Sequence, residues 1–201
     1  MSSHDDDELN ASETPGYKVT APAKSPEEYA KMDAQDESLA RWKASLGIAP
    51  GAAIGPAEGP KVTVLSLELV SPTLPAGKSL VLDLSDPQAL AEVKKHPFTI
   101  KEGIEYNVRI RFKVFLLHPR GVKYLQVVKR SGIKVDKMEQ MLGSYGPSPY
   151  VEPYTKNFPT EESPSGMVAR SGTYNVRSRV IDDDKEVYAD FDWSFKLAKE
   201  W

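Results

Sequence analysis

The stretch EYNVRIRFKV, residues 105–114, decides the fold of this chain. Its side chains alternate between apolar and polar, with Tyr106, Val108, Ile110, Phe112 and Val114 against Asn107, Arg109, Arg111 and Lys113. A period of two is typical of a β-strand that buries one face. The stretch VYADFDWSFKL, residues 187–197, has the same period. Both stretches therefore predict half-buried strands.

Further strand patterns lie on both sides of this stretch. We expect strands at residues 62–70, 79–84, 97–101, 122–130, 132–135, 166–170 and 173–181, and a short helical turn at 87–95. Eight or nine short strands of this kind predict an all-β domain over residues 59–201, an antiparallel β-sandwich of immunoglobulin type. The chain contains no Cys, so the Cys-Trp-Cys signature is absent and the likeness is one of architecture.

Residues 1–58 form a polar arm without strand patterns. Residues 1–24 carry few large apolar side chains, so we expect them to be disordered in the free protein. Residues 49–60, APGAAIGPAEGP, have the composition of a flexible linker. The arm is therefore predicted to be flexible until it binds something.

Two short helices are predicted inside the arm. The first begins at SPEE, residues 25–28, which combines an N-cap, a proline at the first helical position and a capping box. The second begins at Asp36 and places Leu39 and Trp42 on one face. Helices this short are marginal alone in water. They need a surface, which is either their own domain or, in the functional interpretation, a partner.

The overall composition argues against several classes of protein. The 201 residues carry a formal net charge of -3, whereas nucleic-acid-binding faces are usually strongly basic. No segment approaches the roughly 20 apolar residues of a membrane span. The first ten residues, MSSHDDDELN, are acidic and lack the apolar run of a signal peptide. We expect a soluble cytoplasmic protein without stable membrane insertion.

The chain offers no convincing set of catalytic or metal-binding residues. His4, His96 and His118 are not spaced as a metal site, and no phosphate loop, GxSxG elbow or HExxH motif occurs. The run Asp182-Asp183-Asp184 leaves a calcium loop open, but Ca²⁺ needs 6–8 oxygens and a solvated turn is the better interpretation. Glu161-Glu162 lies in a Pro-flanked loop. We predict no enzyme, no cofactor and no metal.

The inward faces of the strands are rich in large aromatic side chains. They include Phe98, Tyr106, Phe112, Tyr124, Tyr174, Phe191 and Trp193. Most such residues are simply core. A Tyr hydroxyl and the amide of Gln126 nevertheless need polar partners in a dry interior, and polar groups among large apolar ones can mark the lining of a ligand cavity. A filled core and a hollow one both remain open.

Seven segments together resemble the Rho GDP-dissociation inhibitor family. In chain order they are GYKVTAPAKS (16–25), DESLARWKASLG (36–47), FTIKEGIEYNVRIRFKV (98–114), GVKYLQVVKRSGIKVDK (121–137), MLGSYGP (141–147), GMVARSGTYNVRSRVIDDDK (166–185) and DWSFKLAKEW (192–201). The resemblance implies a sandwich that takes a geranylgeranyl tail between its two sheets. It also implies an arm, with a helical hairpin at about 25–47, that covers the switch regions of a GDP-bound Rho-type GTPase. We expect a monomer that forms a 1:1 heterodimer with the prenylated GTPase and extracts it from membranes.

The resemblance carries roles to individual positions. Those matching GTPase contacts are Tyr17, Asp36, Leu39, Trp42, Asp136, Glu161, Glu162 and Asp184. Those matching the lining or border of the lipid cavity are Leu69, Phe98, Tyr106, Gln126, Val176 and Trp193. His118 stands where the family often has an aliphatic residue, which puts that wall of the pocket in doubt.

Two rival interpretations remain beside the inhibitor. A general carrier of prenyl or acyl lipids on a related sandwich would need the cavity but not the arm, and the capped arm helices favour the inhibitor over it. A sandwich hydrolase, or a calcium module built on residues 182–184, is the other. The sequence does not say which Rho-type GTPases bind.

Overall fold

The computed structural model describes residues 9, 35–45, 60–115, 121–143, 145 and 152–201, with the backbone alone for residues 42–45. Within these ranges the helices are α1 Glu37–Ser45, α2 Pro87–Lys95 and α3 Met167–Arg170. The strands are β1 Val62–Val70, β2 Leu80–Asp83, β3 Phe98–Lys101, β4 Glu105–Val114, β5 Lys123–Arg130, β6 Ile133–Met141, β7 Tyr154–Glu162, β8 Thr173–Ile181 and β9 Val187–Ala198. Among the described residues, no helix has the length and apolar character to cross a membrane.

The strands form two sheets that pack face to face. The first has the order β2-β1-β4-β7 and the second has the order β3-β9-β8-β5-β6. Neighbouring strands are antiparallel except for β3 and β9, which run parallel from Phe98 beside Phe195 to Lys101 beside Ala198. The predicted all-β sandwich is confirmed, with this one parallel pair added. The strands β6 and β7 are edge strands of different sheets, so the side of the sandwich between them is not closed by a β-ladder.

Helix α2 confirms the predicted helical turn and closes another side. The Asp86 side chain caps its N-terminus by accepting a hydrogen bond from the Gln88 N–H at 2.8 Å, and Pro87 occupies the first turn. The Val93 carbonyl then accepts a hydrogen bond from the Ser194 hydroxyl of β9 at 2.9 Å. The helix is thus fixed against the part of β9 that precedes its ladder with β3.

The sequence prediction was wrong at two elements. Residues 166–170 were expected to be a strand, but Gly166 has φ 103° and the short helix α3 follows it. Met167 and Val168, which suggested a strand, are 80% and 75% exposed. Strand β7 was missed because it carries Pro159, which has no N–H for a ladder. It is an edge strand, and its register with β4 shifts between Asn107 and Arg109, where the proline is tolerated.

The β6 prediction was too short, because the strand continues to Met141 rather than ending at residue 135. All five residues from 133 to 137 are exposed, including the apolar Ile133 and Val135. An exposed edge strand gives only a weak hydrophobic period, and the pairing partner β5 defines its length instead.

Helix α1 begins where the sequence placed it. The Asp36 carboxylate accepts hydrogen bonds from the Ser38 N–H at 2.9 Å and from the Leu39 N–H at 3.1 Å, so the predicted N-cap is confirmed. Asp36 and Glu37 are exposed, and Leu39 is half-buried. The predicted first arm helix and the linker at 49–59 lie outside the described residues.

Leu9 is the one described residue within 1–24, the segment that we expect to be disordered in the free protein. Its side chain is 1% exposed and packs with Leu125, Val127 and Ile181 on the outer face of the five-stranded sheet. The other residues of 1–24 lie outside the described part of the chain. The arm therefore contacts the sandwich at Leu9.

Candidate functional site

The inner face of the five-stranded sheet brings together three of the predicted lipid-binding residues. Val176 of β8 is the register partner of Trp193 on β9, and Gln126 of β5 lies beside Ser178 of β8. Gln126, Val176 and Trp193 are each 2–3% exposed. Phe98 is half-buried at the edge of this wall, with its ring 6.3 Å from that of Trp193. Leu69, 4% exposed, belongs to the same core from the opposite sheet.

A buried chain of hydrogen bonds runs across this inner wall. The Trp193 indole N–H donates to the Ser178 hydroxyl oxygen at 3.0 Å, and Ser178 and the Tyr124 hydroxyl are 2.9 Å apart. The Tyr124 hydroxyl donates in turn to the Gln126 carbonyl oxygen at 2.7 Å. Burial raises the pKa of Tyr124 above its ordinary value, so the hydroxyl remains a donor at neutral pH. The chain holds four polar groups in an interior that would otherwise disfavour them.

The two sheets are in contact through aromatic rings in this conformation. Tyr124 of β5 stacks on Phe158 of β7 with ring centroids 4.8 Å apart. Within the five-stranded sheet, Tyr174 of β8 and Phe195 of β9 also stack at 4.8 Å with nearly parallel planes. All four rings belong to the buried core. A long ligand between the sheets therefore requires side chains or sheets to move apart.

The open side between β6 and β7 carries a cluster of three predicted site residues. The Tyr106 hydroxyl of β4 donates to a Glu161 carboxylate oxygen of β7 at 2.8 Å. Asp136 of β6 is close enough for its charge to raise the pKa of both groups. Burial is the main reason that the pKa of Glu161 lies above its ordinary value, and the hydrogen bond from Tyr106 opposes the rise. Two edge strands from different sheets thus meet around a half-buried carboxyl.

Of the predicted acids Glu162 and Asp184, the first adjoins this cluster and the second lies apart from it. Glu162 is exposed at the end of β7, in register with Glu105, so the pair 161–162 is on a strand and not in the loop that the sequence suggested. Asp184 is exposed in the turn that joins β8 to β9. That turn lies at the other end of the sandwich, where Glu186 forms an ion pair with Lys61. The structure therefore presents the acids as two separate patches.

The run of three aspartates has a structural use at its first member. Asp182 is 1% exposed, and its carboxylate accepts hydrogen bonds from the Glu186 N–H at 2.9 Å and the Tyr188 hydroxyl at 2.5 Å. Asp183 lies 3.5 Å from the Lys123 ammonium. The turn is thus less solvated than we expected. Within the described ranges, no three His, Asp or Glu side chains are grouped to hold a metal ion.

Tyr17 and His118 lie outside the described residues, as does the side chain of Trp42. Their predicted roles stay predictions. Asp36 caps α1, and the half-buried Leu39 lies in its first turn.

A family model described as RHO protein GDP dissociation inhibitor matches residues 2–200. The chain belongs to this family. The protein named Rho GDP-dissociation inhibitor from Schizosaccharomyces pombe is 42% identical over 180 residues, covering 89% of this chain and 84% of its own length. Rho GDP-dissociation inhibitor 1 from Rattus norvegicus is 41% identical over 92% of this chain and 86% of its own length. The Rho GDP-dissociation inhibitor from Saccharomyces cerevisiae is 38% identical over 189 residues, which cover 92% of this chain and 91% of its own length.

Membership of the Rho GDP-dissociation inhibitor family makes this chain a regulatory inhibitor and not an enzyme.

The polar partners of the inner wall were partly missed by sequence reasoning. Ser178 was not singled out, although it interrupts the inward apolar positions of β8. Phe158 was missed with its strand. Ser178 occupies one of the inward positions of β8, beside strands that carry an inward Trp and an inward Tyr. A small polar residue in such a position is the sequence signal that could have identified it.

Proposed function

We propose that this protein inhibits GDP dissociation from Rho-family GTPases by binding them at two places. The arm, through Tyr17, Asp36, Leu39 and Trp42, covers the switch regions of the GDP-bound GTPase. The sandwich takes the geranylgeranyl tail between its sheets and so extracts the GTPase from membranes. The complex is a cytoplasmic 1:1 heterodimer. Family membership supports the inhibition itself.

The observation that supports the lipid site is the shared inner wall. Leu69, Gln126, Val176 and Trp193 all point into one core, and Phe98 and Tyr106 border it half-buried. A prenyl chain of about 20 carbons has at most ~16 kcal/mol of transfer free energy, at ~0.8 kcal/mol per buried CH₂. The pocket must roughly match the membrane that the chain leaves. Contacts of the arm with the GTPase then favour extraction.

The side between β6 and β7 is the part of the sandwich that can open at least cost. Among the described residues no ladder joins these two edge strands, and the Tyr124 and Phe158 rings pack against each other in the interior there. Separation breaks ring contacts and leaves both sheets intact. Asp136, Glu161 and Glu162 border this side, where they would receive the basic stretch that precedes a prenylated cysteine. Asp184 would meet the GTPase from the β8–β9 turn.

The arm contributes an exposed, capped helix. Asp36 satisfies the first N–H groups of α1 while its side chain remains accessible. A helix of this length gains most of its stability from a surface that it packs on. Binding to a GTPase supplies that surface, at an ordering cost of ~2–5 kcal/mol or more.

GDP release from a geranylgeranylated Rho-type GTPase, measured with and without this protein, tests the proposal. We expect release to slow strongly, and the same GTPase without its lipid to bind much more weakly. A geranylgeranylated GTPase of another class should be neither bound tightly nor extracted from liposomes. Equal extraction of both classes, with GDP release unaffected, would instead identify a general prenyl carrier.

A further inference from the structure

The outer face of β5 is apolar and covered in its middle, at Leu125 and Val127, which is unusual for a sheet that faces water. Six consecutive residues, 123–128, are buried, so both faces of the strand are shielded. The outward members include Leu125 and Val127, which join Ile181 of β8 in a small cluster of their own. Antiparallel sheets with one solvated face normally alternate apolar with polar residues. This patch therefore requires a cover.

Leu9 is the cover that the structure shows. It is 1% exposed against Leu125, Val127 and Ile181. The guanidinium of Arg179 lies 3.5 Å from the Leu9 carbonyl oxygen. Arg179 is itself held by Asp190 through its Nε at 3.0 Å and its Nη2 at 2.6 Å. One apolar contact and one polar contact thus fix the same residue of the arm.

A groove of about 370 Å³ adjoins Leu9 on this outer face. Its charged lining residues are Lys94, Lys129, Arg177 and Asp192. Lys94 lies 3.2 Å from Asp192, and Arg177 pairs with Asp190 at 3.0 Å. Together with Arg179 and Asp190, which lie beside Leu9 and Arg177, the groove carries four cations against two carboxylates and so has a positive balance. An acidic occupant fits it better than a basic or a purely apolar one.

The chain carries such an occupant directly before Leu9. Residues 5–8 are DDDE, four consecutive acidic side chains. Four residues span at most ~14 Å, and three neighbouring strands are about 10 Å across. With Leu9 fixed over β5, this run can reach the cations of β5, β8 and α2.

We propose that the outer face of the five-stranded sheet is a docking groove for the protein's own acidic N-terminal segment, residues 5–9, anchored by Leu9. The anchor side chain covers the patch formed by Leu125, Val127 and Ile181. The acidic run binds along the basic groove beside it. The segment forms a strap that joins the start of the arm to the sandwich, on the face opposite the inner lipid wall. This proposal does not depend on the proposed function.

Methyl NMR of the free, full-length protein tests the strap. We expect nuclear Overhauser contacts between the Leu9 methyl groups and those of Val127 and Ile181. Leu9→Ser should remove these contacts and shift the methyl resonances of the patch. Leu39→Ser, the same change on helix α1, should leave the patch resonances in place. Patch resonances unchanged by Leu9→Ser would overturn the proposal.

A peptide of residues 1–12, added to the Leu9→Ser protein, tests the groove itself. We expect it to restore the original methyl shifts, with affinity that falls as salt is raised. A peptide with Leu9 replaced by Ser should bind roughly tenfold more weakly or worse, the factor expected for one buried leucine. Lys129→Glu in the protein should weaken binding of the peptide. Lys196→Glu, at a position outside the groove lining, should leave that binding unchanged.

The alternative occupant is the segment of a second copy of the chain. A mixture of differently labelled proteins distinguishes the two cases. Contacts seen only between unlike labels, together with a mass that rises with concentration, would overturn the intramolecular strap. Contacts confined to single molecules, with a constant monomeric mass, support it.

Discussion

Among single residues, the carboxylates of Asp36 and Glu161 stand in opposite environments. Asp36 is exposed and serves the first turn of α1 through two backbone N–H groups. Glu161 is half-buried, accepts a hydrogen bond from Tyr106 and faces the charge of Asp136. The first carboxylate stabilises a local element, whereas the second has a raised pKa in the folded protein. Substitution therefore affects different properties at the two positions.

Replacing Asp36 with Ala should weaken GTPase binding more than tenfold. The helix loses its cap, which costs ~1 kcal/mol, and a charge-assisted contact with the partner would be worth ~1.5–3 kcal/mol. The melting temperature of the free sandwich should not change. Asp36→Asn keeps the cap without the charge, so its binding loss isolates the contact. An unchanged dissociation constant for Asp36→Ala would reject the role of this residue.

Glu161→Gln should raise the melting temperature at pH 7 and leave it unchanged near pH 4. The pKa of Glu161 is raised in the folded state, mainly by burial. Its favourable contribution to stability is therefore complete below the unfolded pKa of about 4.3 and is lost as the pH rises through the folded pKa. The neutral amide avoids that loss. The effect is small, because the group is partly solvated.

The exposed neighbour Glu162 provides the matched control for Glu161. Glu162→Gln should leave the melting temperature unchanged at both pH values. A Glu161→Gln protein that is less stable than the wild type at pH 7 would contradict the direction of the pKa shift. Weaker binding of both variants to the prenylated GTPase would support their role as receivers of its basic stretch.

At the scale of elements, the turn between β8 and β9 contains a buried carboxylate and an exposed one within three residues. Asp182 is buried and holds Glu186 and Tyr188 through hydrogen bonds. Asp184 is exposed two positions later. The turn therefore has one carboxylate that fixes its shape and another that is available to a partner. Sequence alone gives the three aspartates the same appearance.

Asp182→Ala should lower the free energy of unfolding by at least ~1.5–3 kcal/mol, because it removes hydrogen bonds to a buried charged group. The melting temperature should fall by several degrees, at ~2–4 °C per kcal/mol for a chain of this size. Asp184→Ala should leave thermal stability unchanged and weaken GTPase binding. Equal melting temperatures for the two variants would show that the Asp182 contacts contribute little.

At the scale of the whole molecule, the packed interior must be reconciled with the proposed binding of a lipid between the two sheets. Tyr124 and Phe158 connect the two sheets near the open side, and the hydrogen-bonded chain from Trp193 to Gln126 lines the wall behind them. Binding of a lipid there would exchange ring contacts for lipid contacts. The free protein should consequently behave as an ordinary filled sandwich.

Val176→Phe should destabilise the free protein by ~1–3 kcal/mol through overpacking. It should also abolish binding of a geranylgeranylated peptide, followed by the fluorescence of Trp193, its register partner. Val180→Phe, a buried position further along the same strand, should cost similar stability but preserve peptide binding. Peptide affinity retained in Val176→Phe would place the lipid elsewhere.

Much of the fold was predictable because it is local. Alternation of apolar and polar residues gives the strands β1, β4, β8 and β9 to within a residue or so, since side-chain phase follows directly from the strand period. The Asp36 cap was equally readable, because an N-cap acts within three residues of itself. The inward phase of Val176 and Trp193 follows from the same reasoning. The sequence thus determined the class of fold, the start of α1 and the faces of its best strands.

Only the tertiary structure decided which elements meet. The parallel pairing of β3 with β9, the pairing of the proline-bearing β7 with β4, and the helix at 167–170 depend on contacts between residues distant in the chain. The same holds for Glu161 facing Asp136 across two sheets, and for Leu9 covering the outer face of β5. A strand's period fixes the direction of its side chains, whereas the stacking of two sheets fixes their neighbours, and pKa shifts and docking grooves arise from neighbours.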